Sequence, residues 1–366
     1  MDFSRFDHEC MALALRLAGK GLYTTHPNPR VGCVIADSDR ILGSGWHRAA
    51  GEAHAEIAAL QNAGPAVAGA TAYVTLEPCS HQGRTAACTD ALLEAGIVRV
   101  VGAVADPFPE VDGKGFECLR EAGIRVDVGL MERQARELNA GFFSRMERGR
   151  PWLRVKSAQS LDGRTALASG ESQWITSEPS RRDVQRWRAR SDAILTGVGT
   201  VRADNPRMTV RDIELQHQPL RVIADSSFRI DPGSRILDPA DTALVVGCTP
   251  GPRSEALEAH GVECLVVDDD GFGRVSLPAL LHTLADRMIN EVQVEAGAML
   301  CGALLERKLV DEILIYQAPC LLGLEAPPAF AVGPLESMAE RVHLEVREIV
   351  RTGADWRIRL HPKRND

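Results

Sequence analysis

The sequence predicts an α/β protein made of two consecutive layered domains. Short apolar runs rich in Val and Ile alternate with segments of helical period along the whole chain. That alternation breaks at residues 145–151, RMERGRP, which are charged, contain Gly and Pro, and have no apolar face. The 366 residues suffice for two domains of roughly 100–200 residues each. We therefore divide the chain into residues 1–147 and 148–366.

Each element has its own signal. Residues 2–19 place Phe6, Cys10, Leu13 and Leu17 at spacings of three and four, which predicts an amphipathic helix. VGCVIA and ILGSGW are short apolar runs joined by DSDR, a hairpin signal. HAEIAALQNA reads as a helix and TAYVTLEP as a strand. TAACTDALLEAG reads as a helix with Thr85 at its N-cap and Gly96 as its stop. IVRVVGAVA is a buried strand, followed by a helix near 115–122, the strand IRVDVG and one helix from about 131 to 146. Beyond the break, the strands are WLRVKSAQS, DAILTG, LRVIAD, TALVVG, ECLVVD, VQVEAG and EILIYQA. Helices at PSRRDVQRWRAR, LPALLHTLADR and AMLCGALLERK separate some of them. The final VHLEVREIVRTGADWRIRLH reads as two strands about a Gly-containing turn.

Composition narrows the function classes. Apolar residues make up 45% and charged residues 25%, an ordinary globular balance. The net charge of -8 and an aromatic content of 5% disfavour general nucleic-acid binding. The N-terminus, MDFSRFDHEC, has no apolar signal core, and no apolar run approaches the ~20 residues of a membrane span. A soluble, cytoplasmic protein is expected. Of the nine scattered cysteines, seven are expected to be buried small hydrophobes.

Cys79 and Cys88 stand apart, because their neighbours are polar and loop-like. They are separated by eight residues, whereas paired cysteines of a structural zinc knuckle usually have about two to four between them. Upstream, GEAHAEIAAL supplies His54 and Glu56. One imidazole and two thiolates balance the charge of Zn²⁺ and leave a fourth position for water, whose pKa a bound zinc lowers toward neutrality. Glu56, two residues beyond His54, points elsewhere and can move that water's proton to a leaving nitrogen. Cys88 lies near a helix start, which favours thiolate. The alternatives at this point are a structural zinc site or two unrelated core cysteines.

The order His-Ala-Glu, then Pro-Cys, then a later Cys resembles zinc-dependent deaminases. With HPNPRVGCV, GWHRAAGEAHAE and TLEPCSHQGRTAAC, this half resembles more closely the deaminase domain of the bifunctional riboflavin-biosynthesis deaminase/reductase family. Most cytidine and tRNA deaminases have two residues between these cysteines, and the long insertion marks the riboflavin branch. The family commonly has TPPC where this chain has TAAC, a change in loop rigidity that leaves the ligands untouched. The resemblance implies a cytidine-deaminase-like α/β/α fold and one Zn²⁺ held by His54, Cys79 and Cys88. It also implies substrate contacts from Asn28, His47, His81 and Arg84, with His81 and Arg84 near the ribose phosphate.

The second half gives a weaker signal. VQVEAGAMLCGALL is a strand, a glycine and a helix, so backbone N–H groups can meet a phosphate. Gly297 and Gly302 can equally mark a tight turn and a packing contact, and neither a GxGxxG nor a P-loop pattern is present. SLDGRTALASGESQWIT, RRDVQRWRARSDAILTGVGTVRADNP and VEAGAMLCGALLERKLVDE resemble, in order and spacing, the reductase half of the same family. That half is dihydrofolate-reductase-like and uses NADPH. The resemblance implies an NADPH site formed by Ala158, Trp174, Thr200, Asp204, Ser226 and the segment Gly297–Ala303. It implies substrate contacts from Ser172, Arg188, Met208, Arg211 and Glu295. Lys156 and Glu295 are the ionisable pair proposed as proton donor or polariser; a salt-bridge role for Lys156 and a core position for Trp174 are the alternatives.

The expected reactions are hydrolytic deamination of a diaminopyrimidinone ribosylamine 5′-phosphate, then NADPH-dependent reduction of its opened ribose. The resemblance also implies homo-oligomers, dimer or tetramer, formed through the reductase half. Two rivals remain at this stage: a nucleic-acid deaminase with an unrelated second domain, and a zinc-stabilised interaction protein. A chain with only one active half is a third.

Overall fold

Ser4 opens the first helix, α1 (Arg5–Ala18), with a capping box: its hydroxyl accepts from the Asp7 N–H, and the Asp7 carboxylate accepts from the Ser4 N–H. The computed structural model describes residues 2–80, 87–109 and 111–363, and the chain divides into two units, Met1–Arg148 and Gly149–Asp366. The first unit continues with β1 (Gly32–Ala36), β2 (Ile41–Trp46), α2 (Ala55–Ala63), β3 (Thr71–Val74), α3 (Cys88–Glu94) and β4 (Arg99–Gly102). It ends with α4 (Lys114–Glu121), β5 (Arg125–Val128), α5 (Glu132–Leu138) and α6 (Ala140–Arg148).

Five strands form one sheet in the order β2-β1-β3-β4-β5, with β1 antiparallel to both neighbours and β3, β4 and β5 parallel. Alternate residues of β1 feed separate cores. Val34 and Ala36 pack with Met11 and Ala14 of α1 and with Phe142 and Phe143 of α6. Cys33 and Ile35 pack with Ala59 of α2, Leu92 of α3 and Leu119 of α4. The sheet is thus covered on both faces, which is why its strands read as continuous apolar runs. On β2, Gly43 and Gly45 let α2 lie directly on the strand. A Cβ at Gly45 would stand 2.5 Å from the Ala59 nitrogen, and one at Gly43 2.6 Å from the Ala59 carbonyl oxygen.

The single helix expected over 131–146 is two helices, broken at Asn139, whose φ is -109°. Asn139 is buried, and its side chain binds both backbone groups of Arg30: the Arg30 N–H donates to Oδ1 at 2.8 Å and Nδ2 donates to the Arg30 carbonyl at 2.9 Å. That long-range clamp, invisible to helical periodicity, competes with the local helix. The N-cap expected at Thr85 falls outside the described residues.

The second unit contains β6 (Trp152–Gln159), α7 (Glu178–Arg190), β7 (Ala193–Gly197), α8 (Val198–Asp204), β8 (Leu220–Ala224), β9 (Ala243–Gly247) and α9 (Pro252–Ala259). Then come β10 (Glu263–Val266), α10 (Leu277–Asp286), β11 (Glu291–Val294), α11 (Ala298–Glu306), β12 (Glu312–Gln317), β13 (Leu344–Thr352) and β14 (Asp355–Pro362). Nine strands form one sheet, ordered β10-β9-β8-β7-β11-β6-β12-β14-β13, parallel from β10 to β12 and closed by the antiparallel hairpin β13–β14. Helices α8 and α9 were not expected. α8 runs through the glycine of VGT and α9 begins within PGPR, where Gly and Pro count locally against a helix.

One face of the central strands is apolar, with Leu153, Val155, Leu195, Val292 and Val294 packed under α10 and α11. The other face of β6, β11 and β12 is ionic. Arg154 donates to Glu291 and Glu312 at 3.1 and 2.7 Å, all three side chains being at most 2% exposed, and its guanidinium lies over Trp187 of α7. The alternation of strand β6 puts Lys156 and Ala158 on that same ionic face. Among the described residues, no helix is long and apolar enough to cross a membrane.

Candidate active sites

In the first unit, the sheet delivers three soft donors to one point. His54 is the N-cap of α2, held by the close approach of that helix to β2. Cys79 follows β3, and Cys88 is the first residue of α3. The His54 Nδ1 lies 3.3 Å from the Cys88 Sγ and 3.5 Å from the Cys79 Sγ, and all three ligand atoms fall within 4.8 Å of one another. With Zn–N of about 2.0–2.1 Å and Zn–S of about 2.3 Å, a tetrahedral zinc has ligand–ligand edges of roughly 3.5–3.8 Å. The cluster therefore fits one zinc, and among the described residues no fourth His, Cys, Asp or Glu joins it.

The start of α3 points at the cluster: the Cys88 N–H donates to the Cys79 Sγ at 3.5 Å, and the Thr89 N–H to the Cys79 carbonyl at 3.2 Å. A hydrogen bond between the two side-chain thiols pulls Cys79 down to about 4 and pushes Cys88 far up. The bond to Cys79 also raises His54. Two sulfurs and an imidazole thus share protons that a cation would displace. Glu56, in the first turn of α2 and 3% exposed, lies against Cys88; burial pushes its carboxyl up to about 7.

Two predicted substrate residues arrive at the same place. His47, at the end of β2, is buried and packs edge-on against His54, with ring centroids 5.6 Å apart. Its Nδ1 is 3.1 Å from the Ala53 carbonyl, so Nδ1 carries the proton and Nε2 accepts from the Asn28 Nδ2 at 3.1 Å. Burial lowers the His47 pKa, which keeps this tautomer neutral. His81 and Arg84 lie outside the described residues.

Sequence reading missed a positioning residue here. Glu77, in the same LEPC run as Cys79, is buried and accepts from four backbone N–H groups, those of Asp106, Gly113, Gly115 and Phe116, at 3.0, 3.1, 2.8 and 3.2 Å. A carboxylate fixed to the start of α4 locks the chain two residues before a metal ligand. Its signal was present only as a carboxylate in an otherwise apolar strand end.

In the second unit, Lys156 and Glu295 meet. The Lys156 Nζ is 3.9 Å from the Glu295 Oε2, and burial lowers the lysine's pKa. Arg188 of α7 grips Glu295 with two bonds, at 2.6 and 2.9 Å, and donates to the Thr209 carbonyl at 3.0 Å. The guanidinium expected to contact the substrate is thus closed on Glu295, whose Oε1 also accepts from Gln293 at 2.8 Å. Burial alone would raise Glu295, but the charge and bonds of Arg188 outweigh it and hold the carboxyl at about 2. Gln293 was not anticipated; only the β11 pairing puts it on the Glu295 face.

The other predicted residues divide. Met208 is buried in an apolar cluster with a φ of +51°, and Arg211 is exposed, its backbone N–H bonded to Gln185. Ser172 is half-buried. Trp174 is not a core residue: it is 67% exposed, with the Arg181 guanidinium 4.4 Å over its ring. Ala158 packs near Tyr316, and Asp204 is exposed at the end of α8.

A cleft of ≈ 520 Å³ opens at the carboxyl ends of β7, β8 and β11. Thr200, Ser226, Gly297, Ala298, Met299, Leu300 and Ala303 line it, and the Thr200 hydroxyl accepts from the Gly297 N–H at 3.1 Å. Cys301 and Gly302 do not reach it. Cys301 is in the apolar core, and a Cβ on Gly302 would stand 2.0 Å from the Ala331 carbonyl oxygen. The N-terminal N–H groups of α11 at a parallel-sheet crevice suit a dinucleotide's phosphates, so the residues present fit NADPH.

Residues 4–104 match the family model for the cytidine and deoxycytidylate deaminase zinc-binding region. Residues 151–358, more than half of the chain, match that for the RibD C-terminal domain. The chain belongs to the RibD family. The riboflavin biosynthesis protein RibD of Escherichia coli K12 is 47% identical over 362 residues, covering 95% of this chain and 97% of that protein. The structure of RibD from Acinetobacter baumannii superposes with a TM-score of 0.90 at 44% identity, covering 98% of this chain and 99% of that one. A deaminase/reductase from Thermotoga maritima has a TM-score of 0.86 at 32% identity, with 98% and 99% covered. As a RibD-family member, the chain is a bifunctional riboflavin-biosynthesis enzyme with a zinc-binding deaminase domain and an NADPH-using reductase domain.

Proposed function

We propose that residues 1–147 hydrolytically deaminate 2,5-diamino-6-ribosylamino-4(3H)-pyrimidinone 5′-phosphate. Residues 148–366 then reduce the ribosyl group of 5-amino-6-(5-phosphoribosylamino)uracil to the ribitylamino product. The observation that carries this is the meeting of His54, Cys79 and Cys88 within 4.8 Å, beside a buried Glu56, in a chain that also holds the Lys156–Glu295 site and the cleft at α11. The Thermotoga relative is described as acting in the deaminase and reductase steps on these compounds.

When bound, zinc supplies an acidified water and NADPH supplies the hydride. Glu56, buried beside Cys88, moves a proton between the water position and the leaving nitrogen. His47 holds the Asn28 amide group, leaving the Asn28 Oδ1 as an acceptor for a pyrimidine amino group. His81 and Arg84 are assigned to the substrate phosphate. In the reductase, Glu295 keeps a proton at the Lys156 Nζ, where it can polarise the sugar oxygen, and Arg188 orients Glu295. Ser172, Met208 and Arg211 frame the substrate, and Ala158, Trp174 and Asp204 complete the cofactor site.

We assign the protein to the cytoplasm, acting on free phosphorylated pyrimidines rather than nucleic acid. It forms homo-oligomers through the reductase half; the exposed Val346 and Ile349 of the edge strand β13 and the half-exposed Trp356 of β14 support this.

The test is to supply the zinc-loaded chain with the diaminopyrimidinone phosphate, following ammonia, and then NADPH absorbance. Both should change, the second only after the first. If no ammonia appears, or if the deaminated compound oxidises no NADPH, the assignment fails for that half.

A further inference from the structure

The cleft at α11 carries three arginines to which neither the sequence pattern nor the family resemblance assigned a role: Arg229, Arg274 and Arg307. Asp270 is the only carboxylate among its lining residues, so the lining charge is three positive against one negative, a net +2. Asp270 is itself satisfied. Its Oδ2 accepts from Arg307 at 3.1 Å, and its Oδ1 from the N–H groups of Phe272 and Arg274 at 3.1 and 3.2 Å. Arg229 leans on the buried Asp225 at 3.4 Å and stays half-exposed. Arg274 is exposed and has no carboxylate partner among the described residues.

The place of Arg274 is fixed although its side chain is open. The Asp270 N–H donates to the Arg274 carbonyl at 2.8 Å, which closes a tight turn. The next residue, Val275, donates its N–H to the Ser226 Oγ at 3.1 Å, tying the turn to the end of β8.

Strand order sets the direction of a bound dinucleotide. Lys156 is on β6 and Glu295 follows β11, so the nicotinamide must lie at that side of the sheet. The start of α11, after β11, suits the pyrophosphate. Continuing the same way across β7 to β8 and the β9–β10 side, the adenosine half arrives at Ser226, Arg229 and Arg274. A guanidinium without a carboxylate partner at that end suits a phosphate dianion on the ribose.

We propose that Arg274, assisted by Arg229, binds the 2′-phosphate of NADPH and so makes the reductase select NADPH over NADH. Arg307 contributes by neutralising Asp270, which would otherwise repel that phosphate. The inference rests on the reading of this cleft as the dinucleotide site.

The test is calorimetric titration of the zinc-loaded full chain with NADPH, NADH, 2′,5′-ADP and 5′-AMP. In Arg274→Ala, NADPH and 2′,5′-ADP should bind roughly 10- to 100-fold more weakly, the loss expected for a charge-assisted contact, while NADH and 5′-AMP change by less than about twofold. Arg274→Lys should restore part of the loss, and Arg229→Ala should show a smaller loss with the same selectivity. Arg253→Ala removes a guanidinium from the neighbouring pocket on the far side of Arg229 and should change neither dinucleotide. Equal weakening of NADPH and NADH in Arg274→Ala, or a selective loss only in Arg253→Ala, overturns the assignment. A wild-type chain that binds neither dinucleotide overturns the cleft itself, a failure distinct from the first.

Discussion

Glu56 shows how little separates a ligand from a catalytic acid–base group. It follows His54 by two residues, yet the helix turns it away from the ligand set and buries it beside Cys88. Glu56→Ala removes the proton carrier and leaves all three donors. Ammonia release should fall by about 10²–10⁴-fold, while elemental analysis still finds one zinc per chain. Loss of the metal together with the activity would instead make Glu56 a structural support of the site. Arg188 teaches the converse lesson. The resemblance implies a direct substrate contact, but the carboxylate 2.6 Å away claims the guanidinium, and the side chain acts through Glu295.

At the scale of elements, the break between α5 and α6 connects packing to substrate binding. Asn139 clamps the backbone of Arg30, two residues beyond Asn28, and so fixes the loop that carries Asn28 to His47. Asn139→Ala strands a buried N–H and a buried C=O and should destabilise the deaminase unit by about 1–3 kcal/mol, read by urea unfolding. Because the loop is released, the deaminase KM should rise more than kcat falls. Asn139→Asp, which keeps the acceptor, should lie between. A fall in stability with KM unchanged would show that the clamp serves packing alone.

At the scale of the whole second unit, the ionic face of β6, β11 and β12 links stability to pH. Glu295 and Glu312 are each held at about 2, below their ordinary 4.5, because Arg188 and Arg154 outweigh the burial that would raise them. A depressed carboxylate contributes stability that is complete above its unfolded pKa, here the ordinary 4.5, and is lost as pH falls toward the folded value. The melting temperature of the reductase unit should therefore be level above about pH 5 and drop between roughly pH 4.5 and 2. Glu312→Gln should flatten part of that acid limb and, by leaving Arg154 with Glu291 as its remaining carboxylate partner among the described residues, lower stability at neutral pH by about 1–3 kcal/mol. An unchanged acid limb in Glu312→Gln would remove Glu312 from this account.

By itself, the sequence determined the alternation of strands and helices, the two-part organisation, and the residue types of the metal cluster. These are properties of local period and short spacing, because a strand covered on both faces must be apolar and soft ligands must sit at turns next to helix starts. The tertiary structure decided what depends on partners distant in the chain. The Asn139 break needs Arg30, 109 residues away. The grip of Glu77 needs the start of α4, and the closure of Arg188 on Glu295 spans 107 residues. Helices α8 and α9 formed despite their glycines and prolines because Val198, Val201 and Leu257 enter an apolar cluster built by β7, β8 and β9. Local propensity is worth a few tenths of a kcal/mol per residue, and burial of one such side chain about 1.5–3 kcal/mol, so where the two disagree the distant partner wins.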